Sequence, residues 1–275
     1  MPYLKKYDLD FLLRDPKALR EYGKYINSRV RAARGNDLGK LRDEIFGLIQ
    51  LTPEYAAIRV PFIEKRERGF NHELTARLMC PMRFMAQFEA NPAEFCSRVK
   101  DGEVEIVSDD FLSALYDTST YVGAGDYLSG FCRGPLLVKV FQWLFCGKKV
   151  AKGLLKYGER TSGKQPFLTK YKITEVTPCM IAYAAVLLRF VLNDQEHWSR
   201  KDGAFDLPEL HYNVKMSFGM RDWAKETLAW WNEQIFGAAS GGLHVTRRRR
   251  DGPRPDSMAA RIALMIAAQP PEEAN

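Results

Sequence analysis

Apolar residues recur along this chain at helical spacing far more often than they alternate. Leu19, Tyr22, Ile26 and Val30 repeat every three or four positions behind Asp15-Pro16, a capping residue followed by a first-turn proline. Leu38, Leu41, Ile45, Leu48 and Ile49 form a second run that stops before Pro53. Between the two runs, Gly35-Asn36-Asp37 reads as a break and a new cap. Residues 1–53 are therefore expected to fold as an antiparallel helical hairpin, docked on the rest of the chain or continuous with it.

Downstream, residues 58–63 read as a short edge strand, limited by Pro61. Asn71 is the expected cap of a helix reaching Met79, and Asn91-Pro92 opens another that ends near Lys100. Glu103-Val104-Glu105-Ile106-Val107 alternates like a brief strand, and Ser108 is read as the cap of a helix to about Tyr116. Residues 117–134, rich in Gly, Ser and Thr, read as an ordered loop. Gly134-Pro135 introduces a helix through Phe145, and Thr177-Pro178 introduces the most apolar one, to Leu192. A helix hydrophobic nearly all round is surrounded by other elements. Asp206-Leu207-Pro208 starts one more, and Arg221 to Phe236 makes the last, closed by Gly237.

The expected fold is mainly α: a single multi-helix globular domain with at most short strands and a disordered basic C-terminal tail. The main helical domain spans 54–237. The tail, 238–275, carries glycine, Arg247, Arg248, Arg249 and Arg250, with a short helix expected over 257–268.

Composition refines this picture. The 275 residues are 46% hydrophobic, 27% charged and 12% aromatic, which excludes wholesale disorder. The net charge of +7 sits at the ends: +5 in residues 1–34, zero over 35–236 and +2 beyond. A balanced body argues against a whole-protein design for a polyanion. Within it, residues 148–172 hold eight basic residues and one acid, Glu159, including Lys148, Lys149, Lys152, Lys156, Arg160 and Lys164. Interleaved with Tyr157, Phe167 and Tyr171, they suit phosphate contact and base stacking, and equally a solvated loop between buried helices. The Arg247–Arg250 run fits nuclear import or nucleic-acid contact.

The longest apolar run, Cys179 to Leu192, is fourteen residues and contains Arg189, too short to span a membrane. The five cysteines are odd in number, at least fourteen residues apart and without a C-x-x-C, so free thiols are expected and no disulfides. The start, Met-Pro-Tyr-Leu-Lys-Lys, lacks the apolar core of a signal peptide. An intracellular setting follows, the nucleus included.

Candidate chemistry is sparse. His72 stands in Gly69-Phe70-Asn71-His72-Glu73 and could serve as a base or ligand, or simply pack in a helix's first turn. Arg68 and Asn71 beside it, and Arg189 as a charge on an apolar helix, complete a weak catalytic set. The histidines lack metal-site spacing, Gly123-Ala124-Gly125 and Ser162-Gly163-Lys164 lack a phosphate-loop pattern, and no G-x-S-x-G occurs. No metal and no cofactor is implied. Trp230-Trp231 with Trp223 suggests a carbohydrate or cap-binding surface, but neighbours on a helix differ by about 100°, so one of the pair should face the core.

Several motifs together resemble an uncharacterised family of mushroom-forming fungi. They are Arg68-Gly69-Phe70-Asn71-His72 with Thr75-Ala76-Arg77-Leu78-Met79-Cys80-Pro81, Gly134-Pro135-Leu136-Leu137-Val138-Lys139-Val140-Phe141, Val176-Thr177-Pro178 with Leu188-Arg189-Phe190, and Trp230-Trp231-Asn232-Glu233-Gln234-Ile235-Phe236. They cover roughly residues 20–237. The resemblance implies one domain with the tail as an appendage, a multi-copy family expanded alongside mobile elements, and no established activity to carry over. The resulting expectation is a non-enzymatic intracellular interaction protein, with an unknown protein partner or nucleic acid held through the basic segments. The alternative is an enzyme with its site around Arg68, Asn71, His72 and Arg189.

Overall fold

The computed structural model describes residues 14–121, 126, 128–159 and 165–237. Its axis is the most apolar segment of the chain, helix Pro178–Leu192, in which every side chain from Ala184 to Leu192 is buried. Thr177 caps it, accepting from the Met180 amide at 3.4 Å, with Pro178 in the first turn.

In chain order the helices are α1 (Pro16–Gln50), α2 (Glu73–Met79), α3 (Met85–Ala90), α4 (Pro92–Lys100), α5 (Pro135–Phe141), α6 (Lys148–Ala151), α7 (Phe167–Tyr171), α8 (Pro178–Leu192), α9 (Leu207–Ser217) and α10 (Arg221–Phe236). Helices α1, α2, α5 and α9 pack around α8. Helix α5 runs into a wider π-type turn, Gln142–Cys146, closed by Gly147 at φ 98°. The only sheet among the described residues is a hairpin of β1 (Lys201–Asp202) and β2 (Phe205–Asp206), antiparallel, with Lys201 opposite Asp206. The fold is mainly α, as the periodicity predicts.

Three local expectations fail. The N-terminal hairpin does not form: α1 is one 35-residue helix running straight through Gly35-Asn36-Asp37. A helical glycine costs about 1 kcal/mol, and contacts on both sides of Gly35 offset it. The Arg34 guanidinium lies 4.1 Å from the Trp198 ring centroid, and the Tyr183 hydroxyl donates to Asp37 at 2.9 Å. The strands at 58–63 and 103–107 are absent, and no strand among the described residues pairs with either segment. Ser108 caps no helix. Its Oγ instead accepts from the Asp206 amide at 2.6 Å and donates to the Asp206 carbonyl at 2.9 Å, leaving only a short 3-10 turn, Ser113–Leu115.

The tryptophan pair divides as its helical spacing requires. Trp231 is fully buried against Phe141, ring centroids 4.9 Å apart, while Trp230 stays partly exposed. Trp231 Nε1 donates to the Cys132 carbonyl at 2.8 Å. Cys132 sits at φ 58°, a left-handed conformation that costs a non-glycine residue energy.

All five cysteines are free thiols, and Cys179 alone is exposed. Burial pushes the Cys80 and Cys146 thiols up to about 12 and raises those of Cys96 and Cys132. Since the thiolate is the reacting species, a native-state titration with a chromogenic disulfide at pH 8 should find one fast thiol. The other four should react only as denaturant is added. A second fast thiol in native protein would show the core to be more open than described. No helix among the described residues is long and apolar enough to cross a membrane.

Candidate functional site

The last four carbonyls of any α-helix lack partners within it. At the end of α8 two cations supply partners for two of them, the Phe190 and Val191 carbonyls. Lys65 Nζ donates to the Phe190 carbonyl at 2.8 Å, to Asn193 Oδ1 at 2.6 Å and to the Asn193 carbonyl. Arg68 donates from NH1 to the Val191 carbonyl at 2.8 Å, from Nε to Ile63 at 3.0 Å and from NH2 to Arg42 at 3.1 Å. Its guanidinium also lies 4.7 Å from the Phe46 ring centroid. Positive charge at a helix C-terminus is favoured by the helix dipole. Both side chains are buried, 5% and 1% exposed, and that burial, reinforced by the nearest arginine, pushes Lys65 down to about 7 and Arg68 down to about 10.

The segment after this clasp turns sharply. Gly69 adopts φ 70°, and its carbonyl accepts from Thr75 Oγ1 at 2.7 Å. Asn71 is not the cap of α2; His72 is, its Nδ1 accepting from the Leu74 amide at 3.1 Å. Asn71 Nδ2 instead donates to Asp194 Oδ2 at 3.2 Å.

Over this turn lies a cleft of about 350 Å³, walled by residues 69–71, parts of 99–106 and the hairpin at 202–204, with Arg189 of α8 among its lining. Arg189 is 3% exposed, and its NH2 pairs with Asp202 at 2.9 Å. Its guanidinium rests 4.4 Å from the Phe205 ring centroid. NH1 finds only the Met79 sulfur, at 3.8 Å, and Nε is buried with no hydrogen-bond partner. Asp202 Oδ2 accepts a further bond from Asn193 Nδ2 at 3.0 Å. Of the four weak catalytic candidates, the structure brings Asn71 and Arg189 to one cleft. Arg68 and His72 do not line it and are occupied as clasp and helix cap. A second cavity, of about 340 Å³, lies between Tyr55, Met82 and Tyr116; of its charged lining residues, Arg77 and Glu89 pair with each other at 2.8 Å and Glu54 accepts from Thr118 Oγ1 at 2.8 Å.

The basic interlude is partly neutralised. Lys148 and Lys152 both pair with Glu44 of α1, the latter at 2.8 Å, and hold that carboxyl below its usual range. Lys149, Lys156, Lys170 and Lys172 are exposed. Arg160, Lys164 and Arg247, Arg248, Arg249 and Arg250 lie outside the described residues, as do the glycine cluster at 123–125 and the tail.

A second basic surface lies on α1. None of residues 14–36 is buried, and burial in α1 begins only at Leu38. Along this overhang, Lys17, Arg20, Lys24 and Arg31 stand at i, i+3, i+7 and i+14, on one side of the helix, with Asn27 and Ser28 between them. Leu19, Ile26 and Val30 take the other side. The only side-chain partner of these four cations within the helix is Glu21, 2.8 Å from Lys24 and itself exposed.

A family model described as "Family of unknown function (DUF6698)" matches residues 28–236. The chain matches no curated protein and no solved structure.

Proposed function

The chain belongs to this family of unknown function, and we propose that it is a non-enzymatic interaction protein that holds nucleic-acid phosphates along the basic face of α1. The observation that carries the reading is that face itself: four cations and two small polar side chains on one exposed side of an unburied helical overhang. At 1.5 Å per residue, the span from Lys17 to Arg31 is about 21 Å, long enough to follow several phosphates of a duplex. Of the interlude, Lys149, Lys156, Lys170 and Lys172 remain exposed to add a further share, while Lys148 and Lys152 are spent on Glu44. Three of the four face residues, Lys17, Arg20 and Lys24, lie upstream of the family match, which begins at residue 28. Such a ligand implies an intracellular location, the nucleus included.

The enzyme alternative is weaker because Arg68 spends its guanidinium on three backbone carbonyls and His72 uses Nδ1 to cap α2, neither of them lining the Arg189 cleft. Among the described residues no group of three or more His, Cys, Asp or Glu is placed to hold a metal.

Fluorescence anisotropy on a labelled DNA duplex of about 20 base pairs, at about 50 mM KCl, tests the reading. Changing Lys17, Arg20, Lys24 and Arg31 together to Gln should weaken binding about 100-fold, with circular dichroism unchanged because all four are exposed. Changing Lys149 and Lys156 to Gln should weaken it about threefold. Absence of native binding at this salt would overturn the proposal.

A further inference from the structure

The cleft over Arg189 is independent of the basic overhang, and its chemistry is unfinished. A guanidinium carries five N–H donors in a rigid fork. Here one nitrogen meets a carboxylate, one meets a thioether and one meets nothing, in a side chain 3% exposed. Buried donors left unmet are costly, and native structures rarely leave them so without a use. The one carboxylate paired with it, Asp202, is shared with Asn193. Asp202 stands on a hairpin with two residues in each strand, turned at Gly203 with φ 61°, and hairpins this small are marginal by themselves.

We propose that this cleft binds a small monocarboxylate with an apolar body, its carboxylate taking the Arg189 donors that Asp202 leaves unmet. A planar carboxylate matches the guanidinium fork in two parallel bonds. The remaining lining divides the molecule's two ends. Phe70, Met79, Val99, Val104 and Ile106 offer an apolar surface for an aryl or short alkyl group. Lys100 is the second cation of the lining, whereas Glu105, Asp194 and Asp202 supply negative charge that disfavours a dianion such as phosphate. A volume of about 350 Å³ suits a molecule of this size.

In this arrangement Asp202 is an internal competitor for Arg189, and that fixes the sign of the test. The full chain is titrated with sodium benzoate and sodium hexanoate, against sodium phosphate at matched ionic strength, by thermal unfolding and calorimetry. At a tenfold excess over Kd, benzoate or hexanoate should raise Tm saturably by about 3–5 °C. Asp202→Asn keeps an oxygen for Asn193 and Arg189 but loses its charge, and should bind the carboxylate about tenfold more tightly. Arg189→Lys should bind it at least about tenfold more weakly, and if that variant does not fold the Asp202→Asn result decides alone. No saturable response to either carboxylate, an equal response to phosphate, or weaker binding by Asp202→Asn would overturn the assignment.

Discussion

Replacing Arg68 with methionine is expected to lower the free energy of unfolding by about 3–5 kcal/mol, among the largest effects available to a single substitution in this chain. The guanidinium joins three segments distant in sequence: it donates to carbonyls of Arg42 in α1, Ile63 in the following loop and Val191 at the end of α8. Methionine keeps the stem's apolar volume against Phe46 but strips the buried Ile63 and Val191 carbonyls of this donor, while the part-buried Arg42 carbonyl lies within α1. Each such loss costs about 1–3 kcal/mol, and the relief from desolvating a buried cation returns part of the sum. Arg68→Lys should recover less than half of the loss, because one ammonium cannot reproduce a planar fork aimed at three oxygens. Urea denaturation reads the effect as a shift in midpoint with the slope unchanged. A loss under about 1 kcal/mol would mean that the clasp does not hold α8 to α1.

The second large effect lies at the opposite end of the core. Trp231→Ala should cost about 3–5 kcal/mol, the range for truncating a fully buried aromatic side chain. Trp231→Phe separates the contributions. Its ring can still meet Phe141, but the bond from Nε1 to the Cys132 carbonyl is lost, for about 1–2 kcal/mol. That bond secures a residue whose left-handed backbone is unfavourable by itself. The same denaturation series checks both variants, and equal losses for Phe and Ala would show that the hydrogen bond rather than ring packing carries the position.

Elements whose signals are local were legible in the sequence. Thr177-Pro178, Asn91-Pro92, Asp206-Leu207-Pro208 and Asp15-Pro16 each combine a capping side chain with a first-turn proline, and each opens a helix where expected. Where the deciding contact is distant, local signals mislead. Gly35-Asn36-Asp37 is a plausible break until Tyr183 and Trp198, well over a hundred residues away, hold it helical. Ser108 is a plausible cap until β2 takes its hydroxyl. The clasp was hidden for the same reason. Nothing in the spacing of Glu64, Lys65, Arg66, Glu67 and Arg68 marks two of them for burial, yet Lys65 and Arg68 turn inward to serve carbonyls more than 120 residues away. Arg189 demanded a partner from its place on an apolar helix, but Asp202 could not be singled out from the acids that follow it. The basic overhang left a trace in the charge arithmetic, +5 over residues 1–34, while the more conspicuous lysines at 148 and 152 are the ones already paired.

The exposed face of α1 is proposed to meet nucleic-acid phosphates more extensively than the basic interlude does. The most direct measurement is the slope of log Kobs against log salt for duplex DNA, from about 50 to 200 mM KCl, because it counts the phosphates a protein neutralises. Neutralising Lys17, Arg20, Lys24 and Arg31 should make the slope shallower by about 3–4, at about 0.9 per lost contact. An unchanged slope in that variant would contradict the claim, because the counterions would then be released by another surface.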